Sequence, residues 1–240
     1  MGAQWKHAPR LASSSKRAAI IGKLVKEIQV AAKMGGPSAD ANPRLWAALE
    51  LARKQSVPRD TIERAVKKGA GLLDEKVEYE LVTYEGFAPH KVPVIIECLT
   101  DNKNRTAPDI RNLFKNGHFG TIGSVTWMFD HCGVVEATHT DKALDIETVA
   151  IEAGAQNVEP LEKEAVTEGH IGARFICDAT DLGAVSKFLA KAGWSVTTAE
   201  MSYIAKTSME LPEAQKKQVV DFLSEMDDHD DVHRIYTALK

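Results

Sequence analysis

The sequence predicts an α+β protein of three domains: an N-terminal three-helix bundle followed by two α/β domains, the last a ferredoxin-like βαββαβ unit inserted in the middle one. Three observations predict it. Apolar residues recur at helical spacing from about residue 14 to residue 69, interrupted by Gly, Pro and Asn signals. From Val77 the pattern changes to short β-branched runs separated by single helical stretches. Between residues 133 and 204 these runs fall in the order strand, helix, strand, strand, helix, strand. The expected domains are therefore residues 1–75, residues 76–132 together with 205–240, and residues 133–204.

Residues 1–13 have no periodicity and carry Lys6, His7 and Arg10 beside Trp5, which predicts a mobile basic arm. Ser14 or Ser15 caps a helix that continues through Met34 and stops at Gly35, Gly36 and Pro37. Its Ile20, Ile21, Leu24, Val25, Ile28 and Ala32 fall within one arc of about 140°, and Lys16, Lys23, Lys26 and Lys33 within about 100° on the other side. One face is expected to pack and the other to present a row of ammonium groups. Asn42-Pro43 opens a second helix to about Gln55, because proline at the first helical position lacks only an N–H that would be unpaired there. A third runs from Pro58 to Gly69 with Arg59, Arg64, Lys67 and Lys68 outward. Residues 70–76, acidic and glycine-containing, read as a linker.

In the middle domain, strands are expected at 78–83, 93–100 and 124–130, with a helix at about 107–116 opened by a Thr106/Asp109 capping box. The loop Asp101–Thr106 precedes that helix, and Gly117, Gly120 and Gly123 follow it, marking a tight reversal. The third domain should contain strands at 134–137, 157–160, 171–177 and 195–204 and helices at 144–153 and 182–192. A helix at 213–226 and a strand at 232–239 would complete the middle sheet.

The chain has 240 residues, 44% hydrophobic and 27% charged, the composition of a globular protein with no apolar run of membrane-spanning length and no secretory segment. A cytoplasmic location is expected. Cys98, Cys132 and Cys177 lie far apart in strand-like runs, which favours buried free thiols. The net charge of −4 conceals a division: residues 1–70 hold 14 Lys and Arg against 5 Asp and Glu, whereas the remaining 170 hold 16 against 29. A basic head on an acidic body suits a protein that touches polyanions with one end.

The chemistry that a catalyst would need is not apparent. There is no nucleotide-binding glycine pattern, no nucleophile elbow and no H-E-x-x-H helix. His118, His131 and Cys132 match no zinc spacing, and Asp227-Asp228-His229-Asp230-Asp231 lacks the alternation of a calcium loop and reads as a solvated acidic turn. No catalytic residue, metal or cofactor is expected. Rows of lysine, by contrast, contact a phosphate backbone without reading sequence.

KLVKEIQVAAKMGG (23–36), NPRL (42–45), VPRDTIERAVKKG (57–69), YEGFAP (84–89), ECLTDNKNRT (97–106) and GSVTWMF (123–129) resemble the YebC/PmpR family, from about Lys16 to the C-terminus. The resemblance implies a helical head with two α/β domains. It also implies a non-enzymatic cytoplasmic protein, known in bacteria as a DNA-binding transcriptional regulator and in some members as a ribosome-associated translation factor, with mitochondrial relatives that activate translation. The basic residues of 16–33 and 59–68 match the family's basic head, and no chemical role carries over to the central loop. The arm GAQWKHAPRLASSSKRAA holds fewer cations than the family pattern, and Trp46 stands where a basic residue is common.

The expectation is a nucleic-acid-binding regulator acting on DNA through Lys6, Arg10, Lys16, Arg17, Lys23, Lys26, Lys33, Arg59, Lys67 and Lys68, with Lys103 and Arg105 extending that surface. A translation factor docked on ribosomal RNA or the ribosome is the nearest alternative, since phosphate contacts do not distinguish the polymers. A small-molecule-binding α/β protein is a third.

Overall fold

Residues 14–74, 79–162 and 166–240 are described by a computed structural model of the protein. Lys6 and Arg10, with the rest of the expected arm, lie outside them, as do residues 75 and 76 of the expected linker and residues 77 and 78 after it. The N-terminal bundle consists of α1 (Ser14–Gly35), α2 (Pro43–Lys54) and α3 (Arg59–Gly69). Asn42 fixes the α1–α2 turn with both ends of its amide. Its oxygen accepts from the Leu45 N–H at 3.0 Å and caps α2, while its Nδ2 donates to the carbonyls of Ala31 at 2.8 Å and Gly36 at 3.0 Å. Leu24, Ile28 and Ala32 of α1 meet Leu45, Ala48, Leu49 and Ala52 of α2 and Ala65 of α3 in one core. Gly69 lets the end of α3 press on α1, since a Cβ there would stand 2.2 Å from the carbonyl oxygen of Gln29.

The chain then runs through β1 (Glu80–Ala88), β2 (Val92–Thr100), α4 (Lys103–Leu113), β3 (His118–Phe119), β4 (Phe129–His139), α5 (Ile146–Ala153), β5 (Asn157–Pro160), β6 (Ile171–Cys177), α6 (Leu182–Lys191), β7 (Ser195–Ala205), α7 (Glu213–Asp227) and β8 (Val232–Thr237). The strands form two antiparallel sheets, ordered β3-β1-β2-β8 and β5-β6-β4-β7. The protein is thus α+β, with β4 to β7 formed by chain that leaves the first sheet after β3 and returns to it at β8.

Every residue of β2 is buried because both faces of the first sheet are covered. Val94, Ile96 and Cys98 pack under Ile110 and Phe114 and under Val219, Phe222, Leu223 and Met226 of α7. On the other face Ile95 and Tyr236 meet Val125 and Phe129, with Tyr203 of β7 beside them. The second sheet carries α5 and α6 on one face, where Val149, Val185 and Leu189 pack against Val135, Phe175 and Trp194. All three cysteines are buried free thiols. No helix among the described residues is long and apolar enough to cross a membrane.

The central stretch departs from expectation twice. The helix begins at Lys103 instead of near Ala107, because the Asn102 side chain accepts from the Arg105 N–H at 3.2 Å and starts it one turn earlier. Thr106 is consequently inside the helix, where its hydroxyl has buried partners of its own. Residues 124–128 are no strand. The Glu85 carboxylate accepts from the backbone N–H groups of Gly123 at 2.7 Å, Val125 at 2.9 Å and Thr126 at 2.9 Å, which curls the chain into a loop ending in a tight helical turn at Thr126–Met128. The strand begins only at Phe129, runs unbroken through residues 131–133 to His139 and lies in the second sheet, so the separate strands expected at 124–130 and 134–137 are replaced by one.

Candidate nucleic-acid interface

The expected binding cations divide into two sets once α1 is docked. Arg17 and Lys33 on α1 and Arg59 and Lys67 on α3 are exposed. Of Lys16 the backbone alone, in the first turn of α1, is described. Arg59 donates to Glu63 one turn on at 2.8 Å, an exposed pair of the kind that contributes a few tenths of a kcal/mol and releases its cation readily. Lys67 and Lys68 occupy the last turn of α3, where the helix dipole favours positive charge. Between α2 and α3 lies an open groove of about 580 Å³, floored by Leu49, Val57, Ile62 and Val66 and edged by Arg53, Arg59 and Lys67 with Glu63.

Lys23 and Lys26 do not belong to a free row, which corrects the expectation from helical spacing. Lys26 Nζ donates to Asp231 Oδ1 at 2.7 Å and to the Asp230 carbonyl at 3.0 Å, and Lys23 Nζ donates to the Asp227 carbonyl. The acidic turn is correspondingly solvated only in part: Asp228 and Asp230 are exposed, whereas Asp231 is 3% exposed. Its second oxygen accepts from Arg105 Nη2 at 3.0 Å and from the Thr106 hydroxyl at 2.8 Å. Arg105 also pairs with Asp101, and Lys103 pairs with Glu80, so neither residue of the central loop extends the basic surface as an uncompensated cation.

Burial would raise the Asp231 pKa, but hydrogen bonds from Lys26, Arg105 and Thr106 reverse this and hold it at about 2. The folded value lies below the unfolded one, so the pairing stabilises the fold fully above about pH 5 and is lost as pH falls through the interval down to about 2. Acid titration followed by circular dichroism should show Asp231→Asn converging with the unmodified protein near the low end of that interval, after a gap of about 2 kcal/mol at neutral pH. A gap independent of pH would show that the carboxylate charge does not contribute.

A second charge cluster joins α1 to both sheets. Glu27, 7% exposed and next to Lys26 in sequence, accepts a forked pair from Arg44 Nε at 2.7 Å and Nη2 at 3.1 Å. His233 Nε2 approaches Glu27 to 2.8 Å without hydrogen-bond alignment, a separation at which the carboxylate still responds to imidazole charge. Arg234, paired with Glu97 across β8 and β2, reaches Glu200 of β7 at 2.5 Å, Glu27 at 3.8 Å and Glu97 at 4.0 Å. Burial pushes Glu27 up, and His233, Arg44 and Arg234 more than reverse it, so its carboxyl lies well below the usual range. Burial dominates at Glu200 and raises it.

His131, one of the candidate metal ligands, stacks on Tyr203 at 4.6 Å. Among the described residues no three His, Cys, Asp or Glu are grouped to hold a metal ion. Sequence reasoning missed Asp231, Glu27, Arg44, His233 and Arg234. Arg44 and Glu27 lay within quoted family motifs, but nothing local in the sequence pairs Lys26 with Asp231 at a separation of 205 residues.

Comparison with known proteins adds independent observations. Residues 3–72 match the family description "TACO1/YebC protein N-terminal domain", and residues 79–239 match "TACO1/YebC second and third domain". A "probable transcriptional regulatory protein" of Pseudomonas syringae pv. tomato is 47% identical over 240 residues, which is 100% of this chain and 99% of the relative. A protein of the same description from Bdellovibrio bacteriovorus is 47% identical over 241 residues, covering 100% of both chains. The crystal structure of a conserved hypothetical protein from Aquifex aeolicus is similar with a TM-score of 0.78 at 32% identity, covering 99% of this chain and 96% of that one.

Proposed function

The chain belongs to the TACO1/YebC family, and from that premise we propose that it is a non-enzymatic regulator that binds nucleic acid through its helical bundle, acting on DNA as a transcriptional regulator. The observation that carries this reading is the charge of the bundle: 14 Lys and Arg against 5 Asp and Glu over residues 1–70, with Arg17, Lys33, Arg59 and Lys67 exposed. The relatives' names as transcriptional regulatory proteins support it at the family level.

In this reading the three packing units are domains, residues 1–75, residues 76–132 with 205–240, and residues 133–204. The strand order β5-β6-β4-β7 with α5 and α6 on one face supports a ferredoxin-like unit inserted in the middle domain. The bundle supplies phosphate contacts in the cytoplasm, and the acidic body holds the bundle in place and offers surface to partners.

About five phosphate contacts on duplex DNA would give a log–log salt slope of about −4 to −5. Replacing Arg17, Lys33, Arg59 and Lys67 together by Ala should make the slope shallower by about 3 to 4 and weaken binding at every sequence alike. The measurement is fluorescence anisotropy across a salt series. A salt-insensitive isotherm, or unchanged affinity in the fourfold variant, would refute the reading. Tighter binding to structured RNA than to duplex DNA, with sedimentation alongside ribosomes, would move the target to ribosomal RNA, because the same cations serve either backbone.

A further inference from the structure

The turn after α7 occupies Lys23 and Lys26 in the way a nucleic-acid backbone would. Asp231 offers a buried carboxylate to an ammonium, a guanidinium and a hydroxyl, at 2.7, 3.0 and 2.8 Å. The carbonyls of Asp227 and Asp230 take further ammonium protons. Those donors are the ones that phosphate oxygens accept from. Lys33 continues the row seven residues beyond Lys26, two helical turns along the same side of α1, and is exposed. The covered lysines therefore abut a cation that already faces solvent.

Resting on the reading that the bundle binds a nucleic-acid backbone, we infer that the turn Asp227–Asp231 is an internal phosphate mimic that withholds Lys23 and Lys26, so that the described structure is the closed form and bound nucleic acid displaces the turn from α1. The partition of contacts makes this displacement feasible. Arg105 and Thr106 belong to α4, packed on the same sheet as α7, and keep their bonds to Asp231 when α1 leaves. Asp231 is thus never left without donors. The closed form is held by the lysine contacts, by the packing of α2 on β7 and by Glu27, which loses His233 and Arg234 on opening and keeps only Arg44 on its own bundle. A closed form that dominates lowers the apparent affinity by the fraction of open molecules, and weakening the mimic recovers that loss.

The test compares the full-length protein with Asp231→Asn, which keeps the shape of the side chain, removes its charge and turns one of its two acceptor oxygens into an NH2 donor. Each is titrated with a short DNA duplex and an RNA hairpin of equal length over a salt series. Asp231→Asn should bind about three- to tenfold tighter, with a slope more negative by about 1 to 2, as Lys23 and Lys26 join the contacts. Adding Lys23→Ala and Lys26→Ala to Asp231→Asn should abolish the gain. Small-angle scattering of the unmodified protein should show a larger radius of gyration for the protein component when the duplex is bound. Should Asp231→Asn fail to fold, Asp227→Asn, which removes the carboxylate charge 3.9 Å from Lys23 Nζ, provides the comparison, with a gain of about twofold. A folded variant with unmodified affinity and slope overturns the internal mimic and leaves nucleic-acid binding by the bundle standing. Absence of binding by either form overturns both.

Discussion

Arg234→Ala is expected to destabilise the protein by about 3 to 5 kcal/mol, because removing one partner of a buried ionic cluster leaves the others uncompensated. Arg234 stands between Glu200 at 2.5 Å, Glu27 at 3.8 Å and Glu97 at 4.0 Å, carboxylates from β7, α1 and β2. Burial alone would lower the Arg234 pKa, and these carboxylates with Tyr236 raise it, so the guanidinium stays charged at any working pH. Without it, three negative groups face one another with Arg44 and His233 as the nearest relief. Arg234→Lys retains the charge but not the planar fork, and should cost less, about 1 to 2 kcal/mol. Urea unfolding of both variants measures the difference. Hydrogen exchange adds the location: in Arg234→Ala, amides of α1 and α2 should lose protection, since Glu27 is one of the groups that tie the bundle to the sheets. A change below 1 kcal/mol with protection intact would show that packing alone holds the bundle.

Glu85→Ala should be nearly as damaging, about 2 to 4 kcal/mol, for a different reason. The carboxylate is 5% exposed and is the acceptor for three backbone N–H groups in a loop with no strand ladder to satisfy them. Its pKa is lowered because those donors outweigh the burial that would raise it. Glycines complete the support. A Cβ on Gly120 would stand 2.2 Å from the Ser124 hydroxyl, and Gly123 has φ of +85°, which L side chains rarely adopt. The loop so held projects Ile122, 94% exposed, and Trp127, 65% exposed, with the indole N–H bonded to the Ser124 carbonyl at 3.1 Å. Glu85→Gln keeps the volume, yet its NH2 would face donors, so rescue should be partial. NMR exchange rates at Gly123, Val125 and Thr126 would rise first in either variant; unchanged rates would place the loop's stability elsewhere.

Local signals accounted for most of the elements. Asn42-Pro43 opened α2 as expected, β5 and β6 span the residues that their apolar runs marked, and α7 ends within one residue of the reading. Each depends on groups within a few positions of one another. The misreadings share a cause. Residues 124–128 have strand composition, but a carboxylate 40 and 41 positions away captures the N–H groups of Val125 and Thr126. Thr106 has capping chemistry, but Asn102 takes the cap and Thr106 turns to Asp231, 125 positions distant.

The candidate interface divides in the same way. Sequence by itself determined the family, the three helices of the bundle and the concentration of positive charge there, because composition, caps and period are properties of contiguous residues. Which of those charges face solvent was decided only by tertiary structure. An ammonium on a helix face is a binding group or a structural one according to what packs opposite it, and for Lys26 that is Asp231, brought across 205 residues by the closing of β8 onto β2.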